Sequence, residues 1–152
     1  MILDRENNFT GAAGQAITAT AASTDVIDFG AAGTPAMGLE MLYRKETGTW
    51  KPLDIVVTTA FAAVGAATMD VALQVDDDVA FGSAQTLWTS GAIAVATLVA
   101  GYRFLIDKIP PMSAAQAADS RYMRLNFTVA VGPMTAGVLE AGFRGGPITN
   151  IA

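Results

Sequence analysis

The stretch Tyr122-Met-Arg-Leu-Asn-Phe-Thr-Val-Ala-Val131 decides the fold. Met123, Leu125, Phe127, Val129 and Val131 alternate with Tyr122, Arg124, Asn126, Thr128 and Ala130. Successive side chains of a strand point to opposite faces, so a period of two describes a strand with one dry and one wet face. Thr68 to Asp76 repeats it, with Met69, Val71, Leu73 and Val75 facing in and Asp70, Gln74 and Asp76 facing out. Leu53 to Thr59 places Leu53, Ile55 and Val57 on one face. Met37, Leu39, Met41 and Tyr43 form another row, opposite Glu40 and Arg44. Weaker strand patterns cover 15–20, 25–29, 86–90, 102–108 and 137–143.

The joints between these segments are turn-like. Gly30-Ala-Ala-Gly-Thr-Pro35, Thr47-Gly48, Pro110-Pro111 and Gly132-Pro133 interrupt strands rather than continue them. Short strands broken every ten or so residues predict an all-β fold, a jelly-roll-like antiparallel β-sandwich in a single domain. Helix is expected only as a turn or two near 112–118, with Ser113 as N-cap. Residues 15–143 are read as the sandwich, and residues 1–14 and 144–152 as terminal arms rich in Gly and Asn. The first arm offers only Ile2, Leu3 and Phe9 as large apolar residues, the second only Ile148 and Ile151.

Composition narrows the function. Hydrophobic residues make up 52% of the 152 residues and charged ones 15%, against about 25% charged in an average soluble domain. A coat so thin in charge fits a surface covered by a partner, although tightly packed Ala and Gly would give the same numbers. The net charge of −5, with nine basic residues scattered along the chain, speaks against nucleic-acid binding. The absence of Cys and His removes disulfides, thiolate nucleophiles, cysteine-based metal sites and the commonest general base. No cofactor is expected. Residues 79–102 carry no formal charge, yet Gly82, Ser83, Gln85, Thr86, Thr89, Ser90 and Gly91 break the run, so a membrane span is rejected.

Candidate chemistry is sparse. Asp76-Asp77-Asp78 has the carboxylates of a calcium site but lacks the glycine and distal glutamate of a loop-type one, and reads as a solvated turn that is structurally dispensable. Arg44-Lys-Glu-Thr-Gly-Thr-Trp-Lys51 joins a turn to Arg44, Trp50 and Lys51, residue types favoured in binding hot spots, or else is a plain hairpin tip. Gly11-Ala-Ala-Gly14 and Gly142-Phe-Arg-Gly-Gly146 lack the Lys-Ser/Thr ending of a phosphate loop. Arg121 and Arg124 are placed at the edge and on the wet face of a strand, and no nucleophile is paired with a base.

The order of segments resembles a known family. Val71-Ala-Leu-Gln-Val-Asp-Asp-Asp78 is followed by Phe81-Gly-Ser-Ala-Gln-Thr-Leu87, Thr89-Ser-Gly-Ala-Ile93, Gly101-Tyr-Arg-Phe104, Pro110-Pro111, Ser120-Arg-Tyr-Met-Arg-Leu-Asn-Phe-Thr128 and Thr135-Ala-Gly-Val138. With Met1-Ile-Leu-Asp4 and Gln15-Ala-Ile-Thr-Ala-Thr20, this resembles the Bbp16-like capsid cement (decoration) proteins of tailed bacteriophages over nearly the whole chain. The resemblance implies a jelly-roll sandwich without catalytic residues, made in the bacterial host cytoplasm, that binds the major capsid protein on the outer virion surface. Self-association is expected with it, a dimer before a trimer. Ile2, Leu3 and Phe9 of the N-terminal arm, with Arg44, Trp50 and Lys51, are the expected partner contacts. A carbohydrate-binding jelly-roll module is the alternative, and would require an aromatic platform that two Trp and three Tyr hardly supply. A small hydrolase using paired Asp residues is a third reading, without a constellation to carry it.

Overall fold

A computed structural model describes residues 3–29, 53–106, 110–113, 115–116 and 121–144. Along the chain the strands are β1 (Leu3–Asn8), β2 (Gln15–Ala16), β3 (Ala21–Ala22), β4 (Ile27–Asp28), β5 (Leu53–Ala63), β6 (Thr68–Asp76), β7 (Gln85–Thr89), β8 (Ile93–Ala94), β9 (Arg103–Ile106), β10 (Tyr122–Ala130) and β11 (Met134–Arg144). A 3-10 turn, Val95–Thr97, follows β8.

The segments with the strictest alternation lie at the centre of one sheet. β6 and β10 pair antiparallel along their whole length, from Tyr122 opposite Asp76 to Ala130 opposite Thr68. The outer edge of β10 carries β3 and β4, and the outer edge of β6 carries β7 and β8. The other sheet has the order β1-β11-β5-β9, with β2 sharing the β1 edge of β11. Each sheet is therefore four strands wide, since the short strands share edges in pairs. The chain changes sheets between β2 and β3, β4 and β5, β5 and β6, β8 and β9, β9 and β10, and β10 and β11, which gives the sandwich its jelly-roll-like winding.

The dry faces of the two sheets make one core. Met69, Val71, Leu73, Val75, Met123, Leu125 and Phe127 from one sheet pack toward Leu53, Ile55, Val57, Phe61, Leu139, Ala141 and Phe143 from the other, all buried. At roughly 1.5–3 kcal/mol for each large side chain removed from water, this core is the main source of stability. Phe61 lies so close to β11 that a Cβ on Gly137 would overlap its ring. Gly137 has φ +139° and sits in a bulge of β11, so only glycine suits the position.

Three expectations are corrected here. Residues 3–14 are not a free arm: β1 pairs with β11, and Phe9 is 0% exposed in the core, edge-on to Phe143 with ring centroids 5.5 Å apart. The arm expectation rests on Asp4 to Asn8, a hydrophilic stretch without a period; Phe9, directly after β1, is buried in the core. Val131 is not the last inward residue of β10 but stands 68% exposed in the turn, with φ +64°. Asp76, expected to face water, is 0% exposed, because the loop after β6 folds back over it.

The helical turn near 112–118 is described at Ala115 and Gln116 only. There the Gln116 N–H donates to Ser113 Oγ (3.2 Å) and the Ser113 N–H donates to Gln116 Oε1 (2.8 Å), a reciprocal capping box that confirms Ser113 as N-cap. Among the described residues no helix is long and apolar enough to cross a membrane. The charge-free run 79–102 is instead occupied by β7, β8 and the 3-10 turn. The row Met37 to Tyr43 lies outside the described residues.

Candidate interaction surface

The sheet crossings divide the charges. At one end of the sandwich β5 turns into β6 through residues 64–67, and β10 turns into β11 through residues 131–133. These turns touch: a Cβ on Gly132 would lie 3.7 Å from the Val64 carbonyl oxygen. Residues 17–20 join them, with the Met134 N–H donating to Thr18 O (2.8 Å) and the Val129 N–H to Thr20 Oγ1 (3.0 Å). The loop after β8 closes the third side, since the Val95 N–H donates to Ala67 O (3.0 Å) and the Phe61 N–H to Leu98 O (2.9 Å).

Every described passage of chain that reaches this end is without charge. Residues 7–24, 55–69, 79–102 and 125–139 contain no Asp, Glu, Lys or Arg. The side chains displayed are Ala, Gly, Thr, Pro and Val, with Val64 84%, Val131 68% and Val99 56% exposed. Between 17–20 and the 131–133 turn lies an open pocket of about 370 Å³ lined by Ala19, Thr20, Val129, Gly132 and Pro133. Asp70, near the start of β6, accepts hydrogen bonds from the Thr89 and Ser90 hydroxyls.

The opposite end holds the charge in paired form. Arg121 donates to both oxygens of Asp28 (3.1 Å each), and this hydrogen bonding raises its pKa above the ordinary value. Arg103 Nη1 donates to both oxygens of the buried Asp54 (3.0 and 2.9 Å). Asp76 accepts from the Asp78 N–H (3.0 Å), the Ser83 N–H (2.9 Å) and the Ser83 hydroxyl (3.2 Å). Burial pushes the Asp76 pKa up, but these donors, the two backbone N–H groups foremost, hold it below the usual carboxylate value. Arg124 lies 4.1 Å above the Phe81 ring and donates to Gln74 Oε1 (3.0 Å). Burial lowers its pKa, against the pull of the Asp76 charge. Phe81 holds a φ of +55° in the loop that Asp76 closes.

The acidic cluster is thus one structural carboxylate, Asp76, beside the exposed Asp77 and Asp78. The expectation that it is dispensable is corrected for Asp76. Its signal in the sequence was the Asp-x-Asp spacing, which forms the Asx turn from Asp76 to Asp78. Among the described residues no three Asp or Glu side chains gather as a metal site. Ser90, whose hydroxyl donates to Asp70, accepts from the Val71 N–H (2.9 Å) and ties its turn to β6.

Of the expected contact residues, Phe9 is core and cannot meet a partner in the folded protein. Leu3 is placed by its backbone on edge strand β1. Ile2, Arg44, Trp50 and Lys51 lie outside the described residues. The charge-free end was missed, although its signal is in the sequence as four uncharged passages. Only the topology shows that the four meet. The described aromatics form no platform for a sugar: Trp88 packs against the core, Tyr102 stacks edge-on to Phe104, and Tyr122 lies beneath Arg121.

What these features define is an antiparallel β-sandwich with a charge-free tip and an ion-paired base. The chain belongs to the Bbp16 family, whose model matches residues 11–143. No curated protein matches the sequence.

Proposed function

We propose that this protein is a non-enzymatic cement protein of a tailed phage, binding the major capsid protein on the outer surface of the assembled shell and stabilising it. The observation that carries this reading is the family match over residues 11–143, for which the sequence resemblance implies a capsid role. The two-sheet antiparallel sandwich is the fold that the same resemblance implies, and so supports the reading. Stabilisation follows from mass action. A protein that binds the assembled lattice and not free subunits lowers the free energy of the lattice alone. Many copies on one lattice make individually weak contacts effective together. Self-association, as a dimer, would add contacts between neighbours.

The test is reconstitution. Shells assembled without this protein are incubated with it and sedimented, and their disruption temperature is recorded. Saturable co-sedimentation with a raised disruption temperature is expected, with no binding to unassembled subunits. Saturation without any change in shell stability would reject the cement role.

A further inference from the structure

We infer that the charge-free end, with Val64 and Val131 at its apex, is the surface that seats on the shell, leaving the ion-paired end toward solvent. The inference rests on the cement reading and names the attachment surface within it.

Charge selects the partner. Nothing in 55–69, 79–102 or 125–139 can neutralise a carboxylate or ammonium group brought against this end. A charged partner surface would be desolvated there without compensation, which is costly. The occupant is therefore a charge-poor protein patch, and the proposal commits to one on the outer face of the shell. The opposite end is unsuited to the same task. Asp28, Asp54 and Asp76 already have their donors, and Asp77 and Asp78 would have to be buried as well.

The side chains suit docking. Ala, Gly and Pro lose almost no rotamer entropy when covered, and Val loses little. Val131 contributes nothing evident to the fold that would account for its place: it is β-branched, held at φ +64° and 68% exposed. Non-glycine residues seldom hold such a conformation, and β-branched ones least of all. Beside it, the pocket between Thr20 and Pro133 can receive a small apolar side chain from the shell.

The experiment compares four proteins on shells assembled from the cognate major capsid protein: wild type, Val64→Asp/Val131→Asp, Val131→Asn and, at the opposite end, Val79→Asp. Each is also melted and sedimented alone. The double variant is expected to melt as wild type and bind shells roughly tenfold more weakly or worse, the consequence of burying unpaired charge. Val131→Asn, which adds no charge and suits the backbone, is expected to fold and to bind more weakly. Val79→Asp is expected to bind as wild type. If the double variant folds and binds at full strength, the inference is overturned. If wild type alone is a dimer that the double variant splits without loss of shell binding, the tip belongs to a second copy, and the inference is likewise overturned. Failure of wild type to bind shells at all rejects the cement reading itself, and the seating surface with it.

Discussion

Where Asp28, Asp76 and Tyr122 meet, side chains are held by charge; where Val64, Val131 and Thr20 meet, none is charged at all. The first end spends its polar groups on itself: Asp28 with Arg121, Asp54 with Arg103, Asp76 with the 78–83 loop. The second end closes with backbone hydrogen bonds and exposes valines. The contrast teaches that an acidic chain with a net charge of −5 need not be uniformly acidic on its surface. Segregating the charge leaves one region free for close apolar contact while the rest of the described surface stays hydrated.

The comparison breaks first if the core shared by both ends is not what holds them. Phe9→Ala removes a fully buried ring stacked edge-on against Phe143. A loss of about 3–5 kcal/mol in urea unfolding is expected. Deleting residues 2–9 should be as damaging, since it removes β1 as well as Phe9. Unchanged stability would return these residues to the status of an arm.

A smaller effect separates the ends. Under the charge-free tip, Gly137→Ala forces a methyl group into the Phe61 ring at a backbone φ of +139°. Overpacking and strain together predict a loss of about 3 kcal/mol. At the ion-paired end, Asp76→Ala leaves the Asp78 and Ser83 N–H groups without their acceptor and is expected to cost about 2 kcal/mol. pH distinguishes the two. Because Asp76 holds its proton less tightly when folded, its contribution is complete above the ordinary carboxylate value of about 4 and is lost as pH falls through the lower folded value. Asp76→Asn should therefore flatten the decline of stability below about pH 4, whereas Gly137→Ala should shift the whole curve without reshaping it. Parallel acid declines in wild type and Asp76→Asn would show that the carboxylate is not the acid-sensitive clasp.

What was legible in the sequence follows the same contrast. β6 and β10 were readable almost to the residue because Asp70, Gln74, Arg124 and Asn126 mark their wet faces. β5 and β11 run longer than expected, to Ala63 and from Met134, because toward the charge-free end their outer faces carry Ala and Thr and the alternation fades. Strands of two residues, such as Ala21–Ala22 and Ile93–Ala94, are too short to have a period and exist only through their partners. Burial of Asp76 depends on a loop that returns seven residues later, which strand alternation cannot express.

The smallest expected effect is a gain. Val131 has a left-handed backbone, φ +64°, and is followed by Gly132 at +107°. For a β-branched residue that conformation costs about 1–2 kcal/mol, because Cβ crowds the neighbouring carbonyl. At 68% exposure the side chain recovers little of this through packing. Asparagine tolerates the left-handed region, so Val131→Asn should stabilise the free protein by about 1 kcal/mol. Such a gain at an exposed apolar residue, joined to weaker seating on shells, would place Val131 among positions where stability is traded for function. A loss of stability would instead mean that Val131 packs against Val64 or a neighbour to hold the tip together. The contrast between the ends would then lie in what they are made of and not in what they contact.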